Sequence, residues 1–291
     1  QISQPKFDLA LRKFITSING KNVETSREPV ITQENLKALA TGTADFDNGT
    51  TSNKTHTKTP LVVEKGDKVV YTIRIYNEGD IDGYANLVVD YLPDGLEIVD
   101  SNESTINKKY GWSKDSTTNK YTTSYLQDKL IKAFDKAPDD GTYDIDYVDV
   151  QIECIVTKNP TEQDVSLKNV AEIADSHSTT GDEKDIDSTE NNLTEDQIKN
   201  YLPGTSEEGK GYEDDDDYEE LIIPGKYFDL SLRKFITGIN DREITNREPV
   251  VDTSPLLSGQ TTANYNHTKT PLEVKKGDEV IYTIRVYNEG Q

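Results

Sequence analysis

The chain has 291 residues, 33% of them hydrophobic, and a formal net charge of −22 at pH 7. Such an excess of negative charge argues against binding to nucleic acid or to an anionic membrane, and no apolar run approaches the roughly 20 residues of a membrane span. A single cysteine, Cys154, rules out an internal disulfide; its alternation with Ile152 and Val156 reads as a core thiol. The charge is uneven, because residues 181–220 carry 16 Asp and Glu against 3 Lys. The hydrophobic content is low for a compact globular protein, yet the apolar residues are periodic and 16 tyrosines are present. Those features favour a sandwich with modest cores over disorder. The chain opens on Gln1 without a signal peptide, as expected of a fragment cut from a longer protein.

Residues 7–15 read as a strand whose alternate side chains share a face, Phe7, Leu9, Leu11, Lys13 and Ile15. A lone ammonium among four large apolar side chains costs several kcal/mol unless it is paired or neutralised. Leu61–Val63 leads through the turn Lys65-Gly66-Asp67 into a strand over Lys68–Tyr76, and Asn77-Glu78-Gly79-Asp80 forms the next turn. The strand over 86–92 puts Val88, Asp90 and Leu92 on one side and stops at Pro93-Asp94-Gly95. Residues 124–136 place Leu126, Leu130, Ile131 and Phe134 on one helical face behind Ser124 as N-cap, which predicts a short inserted helix. Strands follow over Tyr147–Thr157 and over 165–174, where Leu167, Asn169, Ala171 and Ile173 share a side. Strands punctuated by turns, with one helix inserted, predict an all-β, immunoglobulin-like β-sandwich.

The candidate core therefore contains a lysine, an acid and an asparagine on three strands. These groups suffice to make an amide. Burial lowers a lysine pKa and raises that of an aspartic acid. A neutral amine is a nucleophile, and a protonated Asp90 can stabilise the oxyanion formed when Lys13 attacks the Asn169 carboxamide. Ammonia leaves, and Lys13 and Asn169 are joined. The bland alternative is a snorkelling edge lysine and an asparagine that satisfies backbone groups.

The arrangement recurs. Phe228, Leu230, Leu232, Lys234 and Ile236 copy the first strand at an offset of 221. Arg-Glu-Pro-Val at 27–30 returns at 247–250, His-Thr-Lys-Thr-Pro at 56–60 returns at 267–271, and Tyr-Thr-Ile-Arg at 71–74 returns at 282–285. Repeats of this length are whole domains. The reading is a sandwich over 6–180, an acidic linker or closing segment over 181–224 and a truncated second repeat over 226–291. Lys234 is then an unpaired lysine, since the counterparts of Asp90 and Asn169 would lie beyond Gln291.

The runs KFDLALRKFIT, VVYTIRIYNEGDIDGYA, VVDYLPDGLEIV, LKNVAEIAD and DIDSTENN resemble the tandem isopeptide-forming, pilin- and adhesin-type repeat domains of Gram-positive cell-surface proteins. The resemblance covers nearly all of the first repeat and what is present of the second. It implies an immunoglobulin-like fold, secretion, display on the cell wall and an autocatalytic Lys–Asn isopeptide bond. Lys13 and Asn169 fall at the matching strand positions. Asp90 is the expected acid and Glu78 its competitor, although alternation turns Glu78 away from the core.

Other signals are weaker. Asp185, Asp187 and Asn191, with Asp214 and Asp216 downstream, offer hard oxygen ligands for Ca²⁺; a solvated acidic linker is the competing reading. His56 and His267 lack a neighbouring His or Cys and read as loop residues. Beyond a possible Ca²⁺, no cofactor is expected. Three functions compete. The first is a structural stalk or adhesin repeat whose cross-linking is a single turnover, not enzymatic activity. Its partners are adjacent repeats and an unidentified host or neighbouring-cell ligand. The second is a carbohydrate- or protein-binding module, with Tyr110, Trp112, Tyr121 and Tyr125 as a platform. The third is an enzyme, which no catalytic motif supports.

Overall fold

The computed structural model describes residues 4–42, 56–115, 120–181, 183–201, 213–257 and 260–290. It is an all-β protein with four short helices among the described residues, Gln33–Ala40, Thr105–Tyr110, Glu195–Lys199 and Ser254–Leu257. It divides into two compact units, residues 1–160 with 165–224, and residues 161–164 with 225–291.

The first unit is a two-sheet sandwich built from β1 (Leu9–Ile18), β2 (Lys21–Asn22), β3 (Leu61–Val62), β4 (Lys68–Asn77), β5 (Gly83–Tyr91), β6 (Leu96–Ile98), β7 (Ser113–Lys114), β8 (Lys120–Thr123), β9 (Tyr147–Val156), β10 (Val165–Ser178) and β11 (Asp216–Ile223). One sheet has the order β2-β1-β4-β9-β6 and the other β3-β11-β10-β5-β8-β7. Alternation decides which side chains meet between them. Leu9, Leu11 and Ile15 of β1, Tyr71, Ile73 and Ile75 of β4, and Val150, Ile152 and Cys154 of β9 face Val88 of β5 and Leu167, Ala171 and Ile173 of β10 in one apolar core. Cys154 is free and buried there. Tyr110, Trp112 and Tyr121 are buried in the same core, and Tyr125 packs against it, so these rings do not form an exposed platform.

Two expectations are corrected. Residues 124–136 form no helix. Gln127 N–H bonds to Ser124 as a turn, then the chain runs extended along the Gly79–Gly83 loop, with Ile131 N–H donating to the Gly83 carbonyl at 2.9 Å and Phe134 N–H to that of Gly79 at 2.9 Å. Leu126, Ile131 and Phe134 are buried, whereas Leu130, expected on the same apolar face, is exposed; tertiary hydrogen bonds replace helical ones.

The acidic stretch is also not a solvated linker where it is described. Residues 216–223 are the strand β11, antiparallel to β10 from Val165↔Ile223 to Glu172↔Asp216. Asp214, Asp215, Asp216, Asp217 and Glu219 are all buried. For Asp214, Asp217 and Glu219 the reason is the open edge of β1, whose amides point away from β4. Leu9 N–H donates to Asp185 Oδ2 at 2.7 Å, and Lys13 N–H to Asp217 Oδ2 at 2.8 Å. Leu11 N–H donates to the Asp214 carbonyl at 2.7 Å, and Ile15 N–H to Glu219 Oε1 at 3.4 Å. Three carboxylates and one main-chain carbonyl thus replace a neighbouring strand, which satisfies amides that would otherwise be costly to bury. Over the outer face of the second sheet, Leu193 and Tyr201 pack on Val89, Tyr91, Val170 and Tyr218.

The second unit repeats the first half-sheet. Strand β12 (Leu230–Ile239) pairs with β13 (Arg242–Glu243) and β16 (Val280–Asn288), while β14 (Val250–Asp252) pairs with β15 (Asn264–Asn266). Lys234 lies opposite Ile284 as Lys13 lies opposite Ile73, and the same bulge recurs, between Ile15 and Ser17 and between Ile236 and Gly238. The face that is core in the first unit is exposed here, with Leu232 at 56%, Tyr282 at 53% and Ile284 at 59%.

The strand edge is anchored by Arg27, whose guanidinium grips Glu219 through Nε to Oε1 at 2.9 Å and Nη2 to Oε2 at 2.6 Å, both side chains buried. Glu219→Ala strands that guanidinium and should destabilise the sandwich by about 3–5 kcal/mol. Glu219→Gln should cost less because it retains an acceptor. Paired denaturant titrations check both, with unchanged midpoints counting against the edge ladder as a structural element.

Candidate functional site

The inner faces of the two sheets each contribute a diagonal pair. On one, Lys13 lies opposite Ile73 and Ile15 opposite Tyr71, so Lys13 and Tyr71 are diagonal neighbours. The Lys13 amine stands 5.1 Å from the centre of the Tyr71 ring. On the other, Asp90 of β5 lies opposite Ala171 of β10, two residues along from Asn169 on the same face. Lys13, Asp90 and Asn169 are each 0% exposed. Sandwich closure brings the pairs together, and Lys13 Nζ donates directly to Asp90 Oδ2.

The electrostatics follow from burial. Desolvation lowers the Lys13 pKa, opposed by the charge and hydrogen bond of Asp90. Desolvation raises the Asp90 pKa, opposed by Lys13 and by the Asn169 carboxamide. Both shifts favour an amine beside a carboxylic acid over an ammonium beside a carboxylate. The site also contains unmatched polar atoms: Asp90 Oδ1, both Asn169 side-chain atoms and the Tyr71 hydroxyl are buried without a formed hydrogen bond. A lysine amine, a carboxyl and a carboxamide therefore share one fully buried site between the sheets. Glu78 is buried too, but the acid that meets Lys13 is Asp90.

Sequence reasoning missed the strap behind Lys13. In the repeated His-Thr-Lys-Thr-Pro run, Lys58 Nζ donates to the Lys13 carbonyl at 3.0 Å and to Asp217 Oδ2 at 2.7 Å, while His56 Nε2 lies 3.4 Å from Asp217 Oδ2. Burial opposes ionisation of Asp217, yet Lys58 and His56 together hold its carboxyl well below the usual range. Lys269 Nζ repeats the contact, donating to the Lys234 carbonyl at 3.3 Å. Duplication of the run was the available signal, and reading it as a loop overlooked what its lysine could reach.

Of the five residues proposed for a metal, three come together. Asp185, Asp187 and Asp214, joined by Asp8 from the first strand region, each offer a carboxylate oxygen within 4.8 Å of the others. Asn191 and Asp216 are not in the group. Asn191 is exposed in a left-handed conformation at φ 52°, and Asp216 accepts the Tyr201 hydroxyl. Crowding and burial raise the Asp185 pKa to about 8, desolvation acting most strongly and Asp214 next.

No protein-family model and no curated protein matches the chain. Among solved structures, it is similar to the major pilin subunit BcpA of Bacillus cereus, with 11% identity and a TM-score of 0.27, covering 98% of this chain and 59% of that one. An aspartate-to-alanine variant of the same pilin gives 11% identity and a TM-score of 0.28, covering 98% and 56%. The chain thus spans little more than half the length of either pilin chain.

Proposed function

We propose that the first unit is a structural stalk or adhesin repeat of a secreted Gram-positive surface protein, closed by a self-made isopeptide bond between Lys13 and Asn169. The observation that carries this reading is the buried Lys13–Asp90 contact beside an Asn169 carboxamide without a hydrogen-bond partner. Proton transfer within the pair leaves Lys13 as a free amine and Asp90 protonated. The amine attacks Asn169 Cγ, Asp90 stabilises the oxyanion, delivers a proton to Nδ2 and takes one from the attacking nitrogen, and ammonia departs. The reaction runs once, so the chain is not a turnover enzyme. The intact mass should fall one ammonia short of the sequence mass, and Lys13→Ala, Asn169→Ala or Asp90→Ala should each restore the full value. A well-folded parent of full mass would refute the bond.

The bond would make a clamp. It links positions 156 residues apart, and chain-entropy reasoning assigns a loop of that length about 5 kcal/mol. It joins β1 directly to β10, so tension along the chain would bypass the strands between them. Lys13→Ala should melt well below the parent and be digested faster by protease. Equal melting temperatures and equal digestion would refute the clamp role.

A second reading concerns Ca²⁺. The observation in its favour is the convergence of Asp8, Asp185, Asp187 and Asp214, four hard oxygen donors of the kind Ca²⁺ prefers. The ion would relieve their mutual repulsion and tie the start of β1 to the segments before β11. Calorimetry should give saturable heat with Ca²⁺ and much less with Mg²⁺, abolished by Asp187→Asn together with Asp214→Asn. Flat titrations with both ions would leave a purely structural acidic cluster.

A further inference from the structure

We propose that Tyr71 is a second catalytic residue of the cross-linking reaction, donating its hydroxyl hydrogen to Asn169 Oδ1 as the tetrahedral centre forms. The inference rests on the Lys13–Asn169 reading above and adds a group that reading does not use.

The phenol is out of place as a packing residue. Tyr71 is 0% exposed and its hydroxyl has no formed hydrogen bond. Phenylalanine would fill the same core position without burying a lone hydroxyl, which costs roughly 1–3 kcal/mol. Asn169 Oδ1 is an acceptor that is likewise buried without a partner, and the Lys13 amine, 5.1 Å from the Tyr71 ring, links the phenol to Asp90, which pairs two residues along from Asn169. The Asp90 carboxyl acts on the Tyr71 hydroxyl through its charge and the Asn169 carboxamide in the sense of a donor to the phenol oxygen, so donation from Tyr71 to Oδ1 is a contact that forms only as Cγ becomes tetrahedral. Hydrogen bonds that are unformed at rest and tighten in the transition state are common at reacting centres. The arrangement is also duplicated. Tyr282 occupies the matching position in the second unit, with the Lys234 amine 4.3 Å from its ring. Both copies therefore pair a lysine with a tyrosine on this face. Burial keeps the Tyr71 pKa well above its ordinary value, so the phenol stays protonated and retains a hydrogen to donate.

The steps balance with Tyr71 as donor. The Lys13 Nζ lone pair forms the bond to Asn169 Cγ, and the carbonyl π pair moves onto Oδ1. Tyr71 and Asp90 donate hydrogen bonds to that oxygen. One proton from the attacking nitrogen passes through Asp90 to Nδ2. The Cγ–Nδ2 bond then breaks, the carbonyl re-forms and ammonia leaves. Tyr71 ends with its proton in place.

The test follows intact mass over time in newly synthesised full-length chain. Tyr71→Phe should reach the same final mass as the parent, but with the ammonia lost roughly a hundredfold more slowly, the order expected for removal of one oxyanion donor. A ring-fluorinated tyrosine at position 71, a stronger donor of the same shape, should match or exceed the parent rate. Folding is controlled in the Lys13→Ala background, where no bond forms. Adding Tyr71→Phe there should leave the melting temperature unchanged or raise it. Cross-linking of Tyr71→Phe at the parent rate would overturn the role of Tyr71 and leave the bond standing. A lower melting temperature in the Lys13→Ala background would assign the hydroxyl a structural role instead. A parent chain of full mass would overturn both proposals.

Discussion

A primary amine sealed between two β-sheets sets the terms for the rest of the first unit. Moving an ammonium out of water costs several kcal/mol after relaxation, so the fold must supply a partner, and Asp90 comes from the opposite sheet. The match needs both registers to be right. Shifting β5 by one residue would turn Asp90 outward and bring Val89 or Tyr91 inward, because side chains alternate at a period of two. Much of the surrounding structure fixes those registers. The loop lysine Lys58 holds the Lys13 carbonyl from behind, and the amide of the same residue is held by Asp217.

The charge distribution has a similar logic. An acidic run can be buried where most of its oxygens have donors to meet. Here the donors are the edge amides of β1, the Arg27 guanidinium, the Lys58 amine and the Tyr201 hydroxyl, which bonds Asp216; among the described residues, Asp215 is buried without a donor on either carboxylate oxygen, and burial beside Asp216 and Asp214 pushes its pKa up. The run is therefore acidic at one end and apolar at the other. Its acids meet the edge of β1, while Leu221 and Ile223 enter the core.

Much of this was legible in the residues. The inward faces of β1, β4, β5, β9 and β10 followed from alternation, and the polar exceptions Lys13, Asp90 and Asn169 stood out because each interrupts an apolar face. The duplicated Arg-Glu-Pro-Val and His-Thr-Lys-Thr-Pro runs were visible as repeats, but their purpose was not. The partners of Arg27 and Lys58 lie 192 and 159 positions away in β11, and composition marks that strand as linker. Periodicity failed at 124–136 for a related reason. Apolar residues at helical spacing also suit an extended segment whose amides are claimed by a distant loop. The metal cluster was half legible, since Asp8 is separated from Asp185 by most of the sandwich in sequence and looks like an ordinary strand residue.

The exposed half-sheet of the second unit has a consequence for timing. It preserves the lysine strand and its partner in native register although Lys234 lies open to water. The equivalent half of the first unit can therefore pair before its covering sheet exists. Asn169 follows Lys13 by 156 positions, an interval of about ten to thirty seconds at typical synthesis rates. Through that interval an uncovered amine would be hydrated and protonated, and burial is complete only when β5 and β10 both cover it. If the proposed bond forms, burial would act as both switch and checkpoint: a chain that stalls or misaligns before β10 would retain its ammonia, and a chain that has lost it would carry a permanent record of having folded as far as β10.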